Sequence, residues 1–168
     1  LMPKTLNHQG PIYIRLGKGG DPIVTPPEID FEIGKAIPLK KDGDVLMVTT
    51  GITLKIVLEA SEKLEKAGVS TSVLHMPTVK PIDMEMILGQ AEKASIITTI
   101  EEGVLSGGLG SAVAEIILEA NFSKPKKFKR FGIDDVFAEK YGSQDSLLTE
   151  FGISSENIVS TVNELLKN

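Results

Sequence analysis

The sequence contains no cysteine among its 168 residues and only two histidines. Without cysteine, the chain has no disulfide scaffold, no cysteine zinc site and no thiol nucleophile. It also lacks an apolar run near the ~20 residues that a membrane-spanning helix needs. The first residues, Leu1-Met2-Pro3-Lys4, lack the charged head and apolar middle of a secretory signal. These absences predict a cytoplasmic protein that does not enter a membrane.

Basic residues are also too few for a protein devoted to nucleic acid. The chain has 18 Lys plus Arg against 23 Asp plus Glu, a formal net charge of -5 at pH 7. Binding to a phosphate backbone requires a basic face, so nucleic acid is not an expected partner. With 41% hydrophobic and 24% charged residues, the composition is that of a globular protein. The length fits one domain with an appendage.

The beginning of the chain has the features of that appendage. The sequence opens on Leu1 rather than methionine, which we interpret as the start of a fragment. Residues 11–16 are predicted to form a strand. The stretch from Gly17 to Pro27 then holds three glycines and three prolines, which interrupt regular structure. We therefore expect a linker and a domain boundary there.

After the linker, short apolar segments alternate with segments of helical periodicity. Buried strands are predicted at 44–50, 69–76, 95–100 and 127–133. Helices are predicted from Thr53 to a stop at Gly68, from a cap at Asp83 to Lys93, and over 109–120, 144–151 and 155–166, the last with Ser154 as its cap. This order predicts the α/β class: an open, mainly parallel β-sheet with helices on both faces.

Ligands of such sheets bind beyond the carboxyl ends of the strands, here at Gly51, Pro77 and residues 101–110. The third turn is rich in glycine, and a glycine-rich helix entry can hold a phosphate. Val113 occupies the position where a dinucleotide fingerprint needs a small residue, and no phosphate-loop lysine is present. We therefore favour close helix–sheet packing at Gly107, Gly108 and Gly110, and keep a nucleotide-binding regulator as a weaker alternative.

The other candidate residues have structural interpretations. Adjacent Glu101 and Glu102 point in opposite directions along a strand and so do not form a catalytic dyad; one caps the following amides and the other is solvated. His8 and His75, without cysteines, do not predict a metal site but a surface or core imidazole. The cations of residues 124–130 indicate an edge strand protected by lysine.

Arg15 has the best local case for a functional role. It ends the predicted strand and is followed by Gly17, Gly19 and Gly20, so its guanidinium can present a bidentate fork to a phosphate. The alternative is a surface arginine beside a flexible linker. Local sequence leaves both interpretations open.

Four motifs together resemble the transketolase superfamily. They are 10–16 (GPIYIRL), 80–83 (KPID), 99–102 (TIEE) and 107–115 (GGLGSAVAE), in the order and spacing seen in that family. The chain is most similar to the C-terminal section of transketolases that are split into two polypeptides. The same superfamily includes deoxyxylulose-phosphate synthase and the beta subunits of 2-oxoacid decarboxylases. Gly103 replaces the histidine of many split transketolases and matches those beta subunits.

The resemblance implies a division of the chain. Residues 1–24 correspond to the tail of a pyrimidine-binding domain, 25–34 to a linker and 35–168 to the transketolase C-terminal domain. The family transfers a two-carbon ketol unit between sugar phosphates with thiamine diphosphate and a divalent metal such as Mg, both bound by segments upstream. We therefore expect no catalytic, cofactor-binding or metal-binding residue in this chain.

The resemblance also assigns one site residue and the partners. Arg15 matches the family arginine that contacts the sugar-phosphate substrate. Family members place the cofactor between subunits, which implies a homodimer and an upstream thiamine-diphosphate-binding polypeptide. The chain is then a structural part that is inactive alone. The alternatives are the partner-binding C-terminal domain of a 2-oxoacid dehydrogenase beta subunit, or that of deoxyxylulose-phosphate synthase.

Overall fold

A computed structural model describes residues 2–17, 20 and 22–167. Across this part of the chain the elements are, in order, α1 (Met2–Thr5), β1 (Ile37–Lys40), β2 (Val45–Thr49), α2 (Thr53–Lys66), β3 (Thr71–His75), α3 (Met84–Lys93), β4 (Ile96–Val104), α4 (Leu109–Glu119), β5 (Lys127–Ile133), α5 (Gln144–Glu150) and α6 (Ser155–Lys167).

The strands form one sheet in the order β1-β3-β2-β4-β5. Strands β2 to β5 are parallel, with Val45 opposite both Thr71 and Ile96, and Ile96 opposite Lys127. Strand β1 pairs antiparallel with β3 at the edge. Every residue of β2 is buried, as expected for a central strand covered on both faces. The α/β class and the mainly parallel sheet are confirmed.

Two hydrophobic clusters lie on opposite faces of the sheet. Val45 and Met47 pack with helices α2, α5 and α6, while Leu46 and Val48 pack with α3 and α4. Successive strand residues point to opposite faces, so one apolar run supplies both layers of the core. The carboxyl ends of the four parallel strands lie together at one end of the sheet.

The predicted caps are present. Asp83 Oδ1 accepts a hydrogen bond from the Met86 amide at 3.2 Å, and its Oδ2 accepts one from the Ala36 amide at 3.0 Å. Ser154 Oγ accepts one from the Asn157 amide at 3.2 Å. A buried carboxylate thereby joins the start of α3 to the segment that leads into β1, beyond the capping role that the sequence predicts.

The predicted strand over residues 11–16 is wrong. This segment has no regular structure, and the short helix α1 precedes it. An extended segment becomes a strand only when a neighbour supplies backbone hydrogen bonds, and none of the described strands pairs with it. Within the predicted linker, Lys18, Gly19 and Asp21 lie outside the described residues.

Among the helices of residues 2–17, 20 and 22–167, none has the length and apolar character needed to cross a membrane.

Candidate functional site

The candidate site lies at the end of the sheet where the parallel strands have their carboxyl ends. The guanidinium of Arg15 reaches the carboxyl-terminal part of β4, where Nη1 donates a 2.7 Å hydrogen bond to the carbonyl oxygen of Glu102. Its Nη2 lies 3.3 Å from Glu102 Oε2. The N-terminal segment is thus held against the sheet by a charged side chain. We call Arg15, Glu102 and Gln144 the Arg15 cluster.

Gln144 completes this cluster from another element. It is the first residue of α5, whose start is capped by Ser143 through a hydrogen bond from the Ser146 amide. The Gln144 side-chain amide donates a 2.7 Å hydrogen bond to Glu102 Oε1. Each carboxylate oxygen of Glu102 therefore has a different partner, one from the N-terminal segment and one from α5.

Glu101 faces the opposite side of β4 and is buried. Its Oε2 accepts a 2.8 Å hydrogen bond from the Leu109 amide, and its Oε1 a 2.7 Å bond from the Gly110 amide. The predicted opposite orientation and the capping role of one glutamate are confirmed. The second glutamate is not simply solvated, because Glu102 holds Arg15 and Gln144.

This cap also decides the role of the glycine-rich turn. The amides that could hold a phosphate at the start of α4 are already bonded to the Glu101 carboxylate. A Cβ on Gly108 would overlap that carboxylate, and one on Gly110 would lie 2.7 Å from Thr99 Oγ1. Close packing therefore explains Gly108 and Gly110, as favoured from the sequence. The prediction is wrong for Gly107, where a Cβ would meet nothing within 4 Å and the positive φ of 80° is what favours glycine. The phosphate-binding alternative at this turn is wrong.

His75 has the predicted core position. It ends β3, is buried, and its Nδ1 has no hydrogen-bond partner among the described residues. Burial lowers the pKa of His75 to about 4, and the nearby Thr49 backbone opposes this shift. His8 lies exposed in the N-terminal segment. Among described side chains, no group of three or more carboxylates and imidazoles is arranged to hold a metal ion.

The cationic run forms an edge strand, as predicted, but its lysines also have specific partners. Lys126 Nζ donates to the carbonyl oxygens of Glu92 and Ala94 at 2.9 and 2.7 Å, at the end of α3. Lys127 Nζ donates to the Leu165 carbonyl at 2.6 Å, in the last turn of α6. A lysine near a helix C-terminus satisfies carbonyls that lack an intrahelical partner.

Comparison with known proteins places this architecture in a family. The model described as "Transketolase, C-terminal domain" matches residues 34–158. The chain belongs to the transketolase C-terminal domain family. A solved structure of a split gene transketolase, described as an inactive beta4 tetramer, superimposes with a TM-score of 0.88 and 38% sequence identity, covering 98% of this chain and 53% of that one.

Two curated relatives show the range of the family. A 6-deoxy-6-sulfo-D-fructose transketolase subunit from Clostridium sp. is 37% identical over 163 residues, covering 97% of this chain and 49% of the relative. A 1-deoxy-D-xylulose-5-phosphate synthase from Synechococcus sp. is 38% identical over 157 residues, covering 92% of this chain and 24% of the relative. The chain thus spans 49% and 24% of the length of these two curated relatives.

Transketolase-family enzymes use thiamine diphosphate, but the residues described here do not fit this cofactor. The glycine-rich helix start that could cradle its diphosphate is closed by Glu101. The described residues also provide no carboxylate cluster for the accompanying metal. That no residue of this chain binds the cofactor or its metal stays a prediction.

Arg15 lies beside the carboxyl-terminal part of β4, and its contact with substrate stays a prediction. Two contacts were missed: Glu102 as the partner of Arg15, and Gln144 as the second partner of Glu102. The three residues lie on three separate segments, and Arg15 is 87 positions from Glu102. The sequence held one signal for Glu102. Adjacent residues of a strand point to opposite faces, so if one of the two glutamates faces inward the other must face outward.

Proposed function

We propose that this chain is the C-terminal part of a transketolase-type enzyme that transfers a two-carbon ketol unit between sugar phosphates. The observation that carries the proposal is the alignment of 97% of the chain with a transketolase subunit from Clostridium sp.. The superposition on a split gene transketolase supports the same assignment. The upstream thiamine-diphosphate-binding polypeptide is then the expected partner.

In this proposal the chain does not perform the carbanion chemistry. Thiamine diphosphate supplies that chemistry when it is bound with Mg by the upstream polypeptide. Residues 1–24 form the tail of the pyrimidine-binding domain, 25–34 a linker, and 35–168 the C-terminal domain. The chain is expected to be inactive alone and to act in the cytoplasm.

Arg15 is the one residue of this chain that we propose to touch substrate. Its side chain remains 63% exposed while it contacts Glu102. A guanidinium carries five N–H donors, and only two hydrogen bonds are formed with described residues. The remaining donors suit a phosphate oxygen, for which arginine provides a bidentate fork.

Reconstitution tests the proposal directly. The chain is mixed with the upstream polypeptide of the same organism, thiamine diphosphate and Mg, and ketol transfer from a ketose phosphate to an aldose phosphate is followed. We expect transfer only when both polypeptides are present. A mixture that forms a stable complex but transfers no ketol unit from any sugar phosphate would overturn the proposal.

A second candidate function is deoxyxylulose-phosphate synthase, favoured by the 38% identity to the Synechococcus sp. relative. This reaction releases carbon dioxide from pyruvate, whereas ketol transfer releases none. Release of labelled carbon dioxide from pyruvate in the presence of glyceraldehyde 3-phosphate would therefore support the synthase. Oxidative decarboxylation with binding to an acyltransferase core would instead support the 2-oxoacid dehydrogenase alternative.

Subunit association is the second role that we propose for the chain, as a homodimer. Large apolar side chains are exposed in the loop after β5, where Phe137 and Tyr141 are almost fully exposed. Burying aromatic side chains is a main source of interface stability. We expect Phe137→Ser with Tyr141→Ser to weaken association of the complete enzyme about 10-fold or more in sedimentation equilibrium.

Leu118 provides the matched control for this test. It is also strongly exposed, but it lies near the end of α4, away from the edge where the parallel strands end. Leu118→Ser should therefore leave association unchanged. Equal weakening by both sets of substitutions would contradict a specific interface at the loop.

A further inference from the structure

The carboxylate of Glu102 lies between two side chains that come from different elements. Oε2 faces the Arg15 guanidinium at 3.3 Å, and Oε1 accepts the 2.7 Å hydrogen bond from Gln144. We propose that Glu102 is a positioning residue that, held by Gln144, orients the Arg15 guanidinium toward the phosphate of the sugar-phosphate substrate. This inference rests on the proposed function, because it requires Arg15 to bind that phosphate.

The backbone of Glu102 is available to Arg15 because the sheet is irregular at this point. Pairing of β4 with β5 is regular from Ile96 to Ile100 and resumes only at Val104. On its other side, β4 has no partner beyond Ile100, where β2 ends. The Glu102 carbonyl is therefore outside the regular ladder, and it accepts the Arg15 hydrogen bond. Such irregularities often redirect groups beside functional sites.

Glu102 is also an anchored partner for an exposed side chain. The adjacent Glu101 accepts hydrogen bonds from two amides at the start of α4. The carboxylate of Glu102 itself accepts one from Gln144. Arg15, in contrast, lies in a segment without regular structure and is mostly exposed. An exposed arginine loses rotamer freedom when it binds a ligand, so orienting it beforehand lowers the cost of binding.

The contacts with Glu102 leave N–H donors of the Arg15 guanidinium available for a phosphate. Glu102 accepts from Nη1 through its carbonyl and from Nη2 through its carboxylate, using two of the five N–H groups. Nε and one hydrogen on each Nη have no partner among the described residues. Nε and Nη2 form one side of the planar guanidinium, and together they can bind two oxygens of a phosphate.

The experiment uses the complete reconstituted enzyme and two acceptors, glyceraldehyde 3-phosphate and unphosphorylated glyceraldehyde, at a saturating ketol donor. The variants are Arg15→Ala, Glu102→Ala, Glu102→Gln and the double variant Arg15→Ala with Glu102→Ala. If a residue acts through the substrate phosphate, its substitution raises KM for the phosphorylated acceptor only. If the substitution causes a general structural defect, it lowers kcat or raises KM for both acceptors.

We expect Arg15→Ala to raise KM for glyceraldehyde 3-phosphate about 10-fold or more. Glu102→Ala should raise the same KM about 3- to 10-fold, and Glu102→Gln should raise it less because an oxygen acceptor remains. The double variant should match Arg15→Ala, since Glu102 acts through Arg15. Gln144→Ala, a change at the exposed start of α5, should raise this KM about 2-fold.

The outcomes separate the two proposals. If Arg15→Ala leaves both KM values unchanged, Arg15 is not the phosphate anchor and the positioning role falls with it. If Arg15→Ala has its expected effect but Glu102→Ala lowers KM, Glu102 competes with the phosphate and the positioning role is wrong. An effect of Glu102→Ala that adds fully to that of Arg15→Ala would also reject it.

Discussion

Glu101 and Glu102 are adjacent, carry the same charge and lie on the same strand, yet they serve opposite sides of the molecule. Glu101 points inward and binds two amides of α4, while Glu102 points outward and binds Arg15 and Gln144. The pleat of the strand separates the two carboxylates. The hydrogen-bond donors on each face of the strand then determine the role of the glutamate there. Amides of α4 make Glu101 a stabilising residue, whereas the side chains of Arg15 and Gln144 make Glu102 part of a candidate site.

The contacts of the two glutamates also contribute differently to the free energy of unfolding. Hydrogen bonds from buried amides to a carboxylate contribute about 1.5–3 kcal/mol each. An ion pair at the surface contributes about 0.2–1 kcal/mol. We therefore expect substitutions on the Glu101 side to change the free energy of unfolding, and substitutions on the Glu102 side to change substrate binding.

The largest expected effect tests the space around Glu101. In Gly108→Ala, the new Cβ would overlap the Glu101 carboxylate, so the cap at the start of α4 must break or move. We expect a loss of about 4 kcal/mol in the free energy of unfolding, measured in urea. Gly89→Ala is the control, because a Cβ there meets nothing within 4 Å. That variant should be more stable by about 0.5–1 kcal/mol.

Removal of the inner carboxylate is expected to have the next largest effect. Glu101→Ala leaves the buried amides of Leu109 and Gly110 without an acceptor, which should cost about 3 kcal/mol of unfolding free energy. Glu101→Gln retains one acceptor oxygen and should lose about half as much. Equal destabilisation by Glu101→Ala and Glu102→Ala would contradict the division between the two faces.

His75 sharpens the comparison because it is a buried polar side chain whose Nδ1 has no hydrogen-bond partner in the described part of the chain. Its pKa falls from 6.5 to about 4 in the folded protein, so below pH 6.5 the unfolded chain binds the proton more readily. Stability should decrease as the pH falls from 6.5 to 4, by up to about 3 kcal/mol. His75→Gln should remove this part of the pH dependence in thermal unfolding.

His8 is the matched control for that measurement, because it is exposed in the N-terminal segment. His8→Gln should retain the pH dependence of the parent protein. The interpretation of His75 would be wrong if His75→Gln and the parent lost stability in parallel over the same pH range.

The smallest expected effect is on the outer face. Glu102→Ala removes an ion pair whose arginine is mostly exposed, so the free energy of unfolding should change by no more than about 0.5–1 kcal/mol. Urea unfolding measures this value in the same series as Glu101→Ala. A loss near 3 kcal/mol would mean that Glu102 is a structural residue like its neighbour.

Local patterns were sufficient to predict most of the sheet. The apolar runs predicted the four parallel strands, and β5 has the predicted bounds, 127–133. Strand β1 was missed because its four residues are only partly buried and include Pro38, so they carry no strong strand pattern. Its position depends on the free edge of β3, which only the assembled sheet provides.

The candidate site was less predictable than the fold. The charge of Arg15 and the glycines that follow it indicated a functional residue, but its partner lies in a distant strand. The outward direction of one glutamate followed from the strand pattern, whereas its contacts depend on the irregular pairing near Val104. Contacts of this kind arise from tertiary structure, which local periodicity does not encode.

Two adjacent lysines, one just before β5 and one at its first position, connect the helical layers on the two faces of the sheet. Lys126 holds the end of α3 on one face of the sheet, and Lys127 holds the end of α6 on the other. Detachment of this edge strand would therefore uncap both helices at once, although the sheet separates them. Local opening of β5 is therefore coupled to opening of both helix ends. We expect the last turns of α3 and α6 to exchange their amide hydrogens together.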